Sequence, residues 1–324
     1  MAALLSACLI VKNEAANLER CLASLAPVVD EIVVCDTGSI DATVAIARAA
    51  ASTRVVEHAW EDDFAAARNA SLAAATGAWI LVVDADEELA TPPAGFAAWL
   101  AAAPDDGYLV RVRNLQPAGS LVSHEDQRLV RLFRNRPELR FRGRIHEQVA
   151  PAIRAAGGRV GSADLTIVHH GYVADVVQGD HSRRARNLAL LERELDEHPD
   201  DPYLYFQLGL TLKADEPALA RNALAHALAL GGEAAPPHLR EQLHQKLAQL
   251  ALERSDLGAT VDHAVASLTI DADNVVSRVC LVTALVSAGL RADAVPHLEW
   301  MVAHALTRVP NPGDFVELLK YCRG

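Results

Sequence analysis

Residues 5–83 alternate between short apolar runs and amphipathic segments, and this order restricts the chain to few architectures. The apolar runs predict strands, and the segments between them predict helices. The predicted strands are Leu5–Val11, Glu31–Cys35, Arg54–Glu57 and Trp79–Val83, and the predicted helices are Glu14–Leu25, Asp41–Ala50 and Phe64–Ala75. Because β-α-β-α order with apolar strands is typical of a parallel sheet covered on both faces, the sequence predicts a Rossmann-like α/β domain.

The pattern changes after Glu88. Further strands are predicted at Tyr108–Arg113, Arg128–Arg134, Arg142–Val149 and Thr166–His169, and turn signals between them suggest antiparallel pairing. Strand patterns end before Ser182, and the rest of the chain has helical periodicity. We therefore expect an α/β domain over residues 1–176, a connecting helix over 177–198 and an all-α domain over 199–324.

The helical part repeats itself. Leucines at positions 208, 247 and 281 recur at offsets of 39 and 34 residues, and small residues follow at positions where paired helices touch. A period of this length is typical of tetratricopeptide (TPR) helical hairpins. An irregular helical bundle is the alternative interpretation of the same pattern.

Charge and composition exclude some functions. The chain has 42 acidic and 30 basic side chains, a formal charge of −12, which repels nucleic acid and anionic lipid. The apolar stretch at Leu5–Val11 has no basic leader and is too short to span a bilayer. We expect a cytoplasmic protein that does not bind nucleic acid and has no transmembrane segment.

An acidic cluster, Asp84-Ala85-Asp86-Glu87-Glu88, follows the most apolar predicted strand. In an extended segment Asp84 and Asp86 point the same way, and two such carboxylates repel unless a cation lies between them. Mg²⁺ or Mn²⁺ bridging to a diphosphate meets that requirement, and the carboxyl ends of parallel strands are where α/β sheets bind ligands. The alternative is that Asp84 caps a turn and the glutamates are solvated.

The other predicted strand tips are also polar. Asp36 ends the second strand, where a carboxylate can read a nucleotide base or ribose, and Asn13 and Glu14 follow the first strand at the same edge. Asn13 is alternatively a helix cap. Arg68 lies on the helix before the acidic strand, and we expect it to meet a diphosphate, to support Asp84, or to form a surface ion pair.

Four sequence blocks together resemble a known family. They are LIVKNE at Leu9–Glu14, VVCDTGSIDAT at Val33–Thr43, DDFAAARN at Asp62–Asn69 and DADEEL at Asp84–Leu89. In this order they are similar to the family 2 glycosyltransferases of GT-A fold, in the branch fused to TPR repeats that includes bacterial peptide S-glycosyltransferases. The resemblance covers residues 5–172 by motif, and the repeats extend it over most of the chain.

The resemblance implies inverting sugar transfer from a UDP-sugar or similar donor. It places Asp36 near the base, Asp84 near the ribose and Asp86 on a Mn²⁺ or Mg²⁺ ion. A later RLFR segment containing Arg131, with a His146-Glu147 pair after it, is also typical of this branch, and we expect Arg131 to contact the diphosphate of the nucleotide-sugar.

Inverting transfer needs a general base, and we take Glu147 as the candidate with His146 in support. In a regular strand these two side chains would point to opposite faces, so both reach one site only through a bulge or turn. Glu87 and Glu88 are the alternative bases. His169 and His170 end the last strand of this part, and either one can complete the metal shell.

These observations predict a GT-A nucleotide-sugar-binding domain followed by a TPR-like all-α domain. The expected partners are a nucleotide-sugar donor and a peptide, protein or glycan acceptor held by the repeats. Two alternatives are a nucleotidyltransferase and a non-catalytic scaffold with a relic α/β domain. The first is expected to carry a glycine-rich, lysine-containing loop after its first strand, where this chain has Lys12-Asn13-Glu14.

Overall fold

The computed structural model describes residues 3–117, 120, 122–170, 181–304, 309 and 311–323. The chain divides into two compact units. One consists of Met1–Leu115 with Glu125–Gly179, and the other of Gln116–His124 with Asp180–Gly324. The predicted domain limit at residue 176 lies outside the described residues, so the limits drawn from the sequence stay a prediction.

The first unit is built on one eight-stranded sheet. Its strands are β1 Leu5–Val11, β2 Glu31–Asp36, β3 Thr53–Glu57, β4 Trp79–Val82, β5 Glu87–Leu89, β6 Gly107–Leu115, β7 His124–Arg134 and β8 Val160–His169. Its helices are α1 Leu18–Leu25, α2 Thr43–Ala49, α3 Phe64–Ala74, α4 Phe96–Ala102 and α5 Ala150–Ala155. The strand order is β3-β2-β1-β4-β7-β6-β8-β5, and the pairs among β3, β2, β1 and β4 are parallel. The α/β prediction is confirmed.

Both faces of the parallel strands are buried, as their apolar sequences require. In β1 the side chains of Leu5 and Leu9 enter a hydrophobic cluster on one face of the sheet, and Cys8 enters a second cluster on the other. The helix predicted from Glu14 begins only at Leu18, because residues 14–17 form a turn closed by the Asn17 N–H on the Glu14 carbonyl.

Two expectations for residues after Glu88 are wrong. The strands β6 and β8 pair in parallel, with a register shift between Leu109 and Arg111. Residues 142–149 form a loop and not a strand, closed by an isolated antiparallel bridge between Arg142 and Gln148. Gly143 (φ 99°) and His146 (φ 52°) are both in the left-handed region, so the chain turns where the sequence had suggested an extended strand.

The second unit is helical and has TPR-like repeats. Its helices are α6 His181–Glu197, α7 Pro202–Leu212, α8 Pro217–Gly231, α9 Pro237–Glu253, α10 Leu257–Ile270, α11 Val275–Ser287, α12 Arg291–His304 and α13 Pro312–Arg323. Consecutive helices pack as hairpins, α7 with α8, α9 with α10 and α11 with α12. No described helix is long and apolar enough to cross a membrane.

Each hairpin repeats one interhelical contact. A side chain from its first helix meets a histidine of its second, and the first-helix partners recur at the 39- and 34-residue offsets found in the sequence. The pairs are Tyr205 with His226, His244 with His263, and Arg278 with His297. The side chain from the first helix differs in every repeat, although the three hairpins share this contact.

Candidate functional site

The carboxyl ends of β1, β2 and β4 lie at one edge of the sheet because these strands are parallel neighbours. The register pairs Val11 with Asp36, and the Val83 N–H bonds the Cys8 carbonyl just beyond β4. Polar loops therefore follow three adjacent strands at the edge where open α/β sheets bind ligands. This edge is the candidate functional site.

The loop after β2 is ordered by side chains predicted to contact a nucleotide. The Asp36 carboxylate accepts hydrogen bonds from the backbone N–H groups of Gly38 and Ser39, both at 3.1 Å. Asn13 bonds the same loop twice, with its N–H on Ser39 Oγ at 2.9 Å and its Oδ1 accepting from Ile40 N at 2.8 Å. Asn13 thus orders this loop and is not a helix cap.

Glu14 joins the neighbouring turn. Its N–H donates to Thr43 Oγ1 at 2.7 Å, and its carboxylate accepts from Asn17 Nδ2 at 3.0 Å. These bonds tie the loop after β1 to the start of α2 and to the turn before α1. Asn13, Glu14 and Asp36 are therefore brought together at one edge, in a framework held by backbone hydrogen bonds.

The acidic cluster is a turn, which corrects the extended geometry expected from the sequence. The strand β4 ends at Val82, and the Glu87 N–H bonds the Asp84 carbonyl at 3.0 Å. As a result Asp84 and Asp86 have different partners. The Asp84 carboxylate meets arginines, whereas the Asp86 carboxylate meets a histidine.

Two arginines and three carboxylates form a buried network around this turn. Arg68 donates from Nη2 to Asp84 Oδ1 at 3.0 Å and from Nε to Glu147 Oε1 at 2.6 Å. Arg131 donates from Nη2 to Asp84 Oδ2 and to Glu87 Oε1, both at 3.0 Å. Arg68 is only 6% exposed, so the surface ion pair considered for it is wrong, while its expected support of Asp84 agrees with this contact.

The network determines which carboxyl groups are charged. Burial alone raises the pKa of Asp84, but Arg131 and Arg68 together hold that pKa well below its usual value. For Glu87, burial dominates and raises the pKa to about 7 in spite of Arg131. The Asp84 carboxylate is thus a fixed anion with both oxygens bonded to arginine.

Asp86 faces His169. The imidazole Nε2 is 3.1 Å from Asp86 Oδ2, and Nδ1 is 2.9 Å from the Asn114 side-chain oxygen. Since an amide oxygen only accepts, Nδ1 carries a proton, and the contact with Asp86 requires a second proton or a cation between the two groups. A carboxylate beside an imidazole whose other nitrogen is hydrogen-bonded is a donor set that fits Mn²⁺ or Mg²⁺.

His170 is oriented differently. Its N–H bonds the Asp86 carbonyl at 3.1 Å, but its ring Nε2 lies 3.3 Å from Glu88 Oε2. The two histidines left open by the sequence are thereby distinguished, because His169 contacts the Asp86 carboxylate and His170 contacts Glu88. Within the described part of the chain, no group of three or more His, Cys, Asp or Glu side chains is arranged to hold a metal.

The loop over residues 142–148 carries the His146-Glu147 pair. It is anchored to α3 by the Phe64 N–H on the Arg144 carbonyl at 2.8 Å. Positive φ at His146 separates the two side chains: Glu147 reaches Arg68, while His146 Nε2 is buried without a hydrogen-bond partner among the described residues. Burial lowers the pKa of His146 to about 4, so this imidazole is neutral near pH 7.

Backbone strain concentrates near the site. Five non-glycine residues of the described chain have positive φ, and three of them, Asn13, Asp62 and His146, lie in the loops after β1, before α3 and around residues 142–148. Such conformations cost energy and persist where the surroundings enforce them, often at ligand sites.

Sequence reasoning missed two contributors to the site. Asn114 supports His169, yet nothing near Asn114 in the chain marks it, because the contact depends on the pairing of β6 with β8. Asn69 bonds the Phe141 backbone through both its Nδ2 and its Oδ1, which fixes the start of the 142–148 loop. The DDFAAARN block contains Asn69 and could have indicated it.

The fold and this edge together define a GT-A-type α/β domain joined to a TPR-like helical region. Residues 6–147 match the family model for glycosyl transferase family 2. This part of the chain is a family 2 glycosyltransferase domain, and a C-terminal helical TPR region follows it.

Two curated relatives and one solved structure illustrate the similarity. A TPR repeat-containing protein of Synechococcus elongatus is 38% identical over 272 residues, which cover 81% of this chain and 65% of that protein. The SPbeta prophage-derived glycosyltransferase SunS of Bacillus subtilis is 29% identical, over 63% of this chain and 48% of that protein. S. aureus TarS 1–349 in complex with UDP-GlcNAc is 15% identical with a TM-score of 0.43, over 82% of this chain and 91% of that chain. The chain spans less than two thirds of the length of either curated relative.

Proposed function

We propose that this protein is an inverting glycosyltransferase that moves a sugar from a nucleoside diphosphate sugar, UDP-linked, to a peptide, protein or glycan acceptor. The observation that carries the proposal is the juxtaposition of Asp86 with His169 beside the arginine-bound Asp84 turn. Family membership supports the reaction class, and the repeats are the proposed holder of the acceptor.

The donor would lie across the strand tips. The loop ordered by Asp36 and Asn13 would face the base and ribose, with Glu14 at its edge and Asp84 toward the ribose and sugar. Asp86 and His169 would hold Mn²⁺ or Mg²⁺, which when bound neutralises charge on the departing diphosphate. Because Arg68 and Arg131 are already paired with carboxylates, we assign them to holding Asp84 in place.

In the chemical step the acceptor atom forms a bond to the anomeric carbon as the bond from that carbon to the diphosphate oxygen breaks. The acceptor proton passes to a general base, for which we propose Glu147. Its Oε1 is held by Arg68, and its Oε2 makes no hydrogen bond to the described residues, which leaves an oxygen to receive a proton. His146, neutral and adjacent in the chain, is proposed as a polar support.

Thermal unfolding with UDP and Mn²⁺ tests the donor site. A ligand at a hundred times its Kd stabilises the folded state by about 2.7 kcal/mol, which corresponds to a rise of a few degrees in Tm for a chain of this size. Asp86→Ala should remove the rise that depends on Mn²⁺. A wild-type protein that neither UDP nor other nucleoside diphosphates stabilise would favour the scaffold alternative.

Glu147→Gln tests the base. The glutamine oxygen can still accept from Arg68 but cannot take the acceptor proton. We expect sugar transfer to fall by about 100- to 10,000-fold, the usual contribution of a general base, while UDP with Mn²⁺ binds as in the wild type. Transfer that persists at the wild-type rate would reassign the base.

A further inference from the structure

Glu87 is a buried carboxyl residue with both oxygens engaged. Its side chain is 2% exposed, and Oε1 accepts a hydrogen bond from Arg131 Nη2 at 3.0 Å. The other oxygen, Oε2, accepts from the Asp84 backbone N–H at 2.7 Å. The sequence left Glu87 open as a catalytic base, but a group enclosed in this way cannot reach an acceptor.

The two ends of the acidic turn are joined through this residue. The Asp84 N–H donates to the Glu87 side chain, and the Glu87 N–H donates to the Asp84 carbonyl at 3.0 Å, so two hydrogen bonds close the turn over residues 84–87. Asp86 lies inside that turn. The direction of the Asp86 side chain therefore depends on the turn that the Glu87 carboxylate closes by its hydrogen bond.

Glu87 is connected to the histidine as well. In the antiparallel pairing of β5 with β8, Glu87 lies opposite His169. The backbone of Glu87 thus adjoins the strand that carries the imidazole, while its side chain fixes the turn that carries the Asp86 carboxylate. One residue therefore adjoins both the strand of His169 and the turn of Asp86.

We infer that Glu87 is a positioning residue for the cation site of Asp86 and His169, acting by closing the 84–87 turn and by orienting Arg131 onto Asp84. The inference rests on the proposed function, since it concerns the same site. Stability alone does not account for a buried carboxylate here, because well-packed apolar residues often stabilise a fold as well as a buried ion pair does.

Glu87→Gln is the first test. Glutamine has the same size but a single acceptor oxygen, so its NH₂ group must face a donor, either Asp84 N or Arg131. The readout is the Kd of Mn²⁺ in the presence of UDP, measured from the electron paramagnetic resonance signal of free Mn²⁺. We expect this Kd to rise at least tenfold, and kcat for donor hydrolysis to fall more than KM for the donor changes.

Glu31→Gln is the matched control. Glu31 is a carboxyl residue of the same sheet that accepts hydrogen bonds from Ser6 Oγ and from the Thr76 N–H and hydroxyl, but it begins β2, at the end of that strand remote from Asp36. This substitution should lower Tm and leave the Mn²⁺ Kd within twofold of the wild-type value. Glu87→Met is a second variant, in which an apolar side chain of similar volume removes the acceptors of both the Asp84 N–H and Arg131.

The outcomes distinguish a failure of this inference from a failure of the proposed function. If the wild type binds Mn²⁺ with UDP and both Glu87 variants bind it equally well, this inference is wrong and the proposed function stands. If Glu31→Gln weakens Mn²⁺ binding as much as Glu87→Gln does, Glu87 is only a structural residue. A wild type that does not bind Mn²⁺ in the presence of UDP overturns the proposed function, and this inference with it.

Discussion

Arg68 and Asp84 form an ion pair of 3.0 Å in which the arginine is almost fully buried. The same guanidinium holds Glu147 at 2.6 Å, so one cation neutralises two carboxylates from segments 63 residues apart. The helix before β4, the turn after it and the 142–148 loop meet at this side chain. The geometry of the candidate site therefore depends on a single residue of α3.

Replacing Arg68 with methionine should destabilise the first unit strongly. The change removes the ion-pair partner of Glu147 and one of the two partners of Asp84, and breaking a buried ion pair typically costs about 3–5 kcal/mol. Urea unfolding followed by tryptophan fluorescence measures the loss. Arg48→Met is the control, because Arg48 pairs with Glu57 at the surface and such a pair contributes less than about 1 kcal/mol. Equal midpoints for the two variants would contradict the assigned role of Arg68.

Removing the amide that supports His169 should weaken cation binding without removing a proposed ligand. In Asn114→Ala the imidazole Nδ1 loses its acceptor, and loss of such a supporting bond typically lowers metal affinity by about 10- to 100-fold. Titration of Mn²⁺ in the presence of UDP measures the change. Asn135→Ala is the control, since Asn135 bonds the Ala75 and Gly77 carbonyls before β4 and should leave the affinity unchanged.

The part of the site at the strand ends was predictable because it depends on residues that are neighbours in the sequence. An apolar strand followed by a polar residue specifies both an element and its end, and parallel neighbours bring such ends to one edge. Asp36, Asp84 and Asn13 were found in this way. The direction of each side chain could not be predicted, because Asp84 turns toward arginines that lie 16 residues before and 47 residues after it in the chain.

The later part of the first unit was harder to predict for a physical reason. Strand pairing there is set by partners distant in sequence, as when β8 lies between β6 and β5. Alternation of apolar and polar residues does not reveal whether a neighbouring strand is parallel, and the sequence did not reveal that Gly143 and His146 turn the backbone within residues 142–149. Asn114 entered the site only through this pairing.

Acidification should destabilise the first unit through His146. Burial lowers its pKa to about 4 from the ordinary 6.5, so the unfolded chain binds a proton that the folded chain excludes. This contribution to stability is present above pH 6.5 and is lost as the pH falls toward 4, by at most roughly 3 kcal/mol.

His146→Asn is the informative variant, because asparagine tolerates the positive φ at this position and does not titrate. Unfolding free energies measured between pH 7 and pH 4 should fall less steeply for the variant than for the wild type. Parallel pH curves for the two proteins would show that His146 is not excluded from protonation in the folded state.

Two glycines of the helical unit test how closely the repeats pack, because substitution by alanine should change stability in opposite directions at the two positions. A Cβ at Gly209 in α7 would lie 2.6 Å from Leu224 Cγ, closer than atoms can pack, and 3.1 Å from the Ala220 carbonyl oxygen, which is a tight contact. Gly209→Ala should destabilise the unit, because overpacking costs about 1–3 kcal/mol and outweighs a gain in helix propensity of about 1 kcal/mol.

At Gly258 in α10 the nearest atom to such a Cβ is 3.9 Å away, so Gly258→Ala should be neutral or stabilising by up to about 1 kcal/mol. Thermal melts followed by circular dichroism at 222 nm compare the two variants, and a stabilising Gly209→Ala would mean that α7 and α8 do not pack as closely as the structure has them.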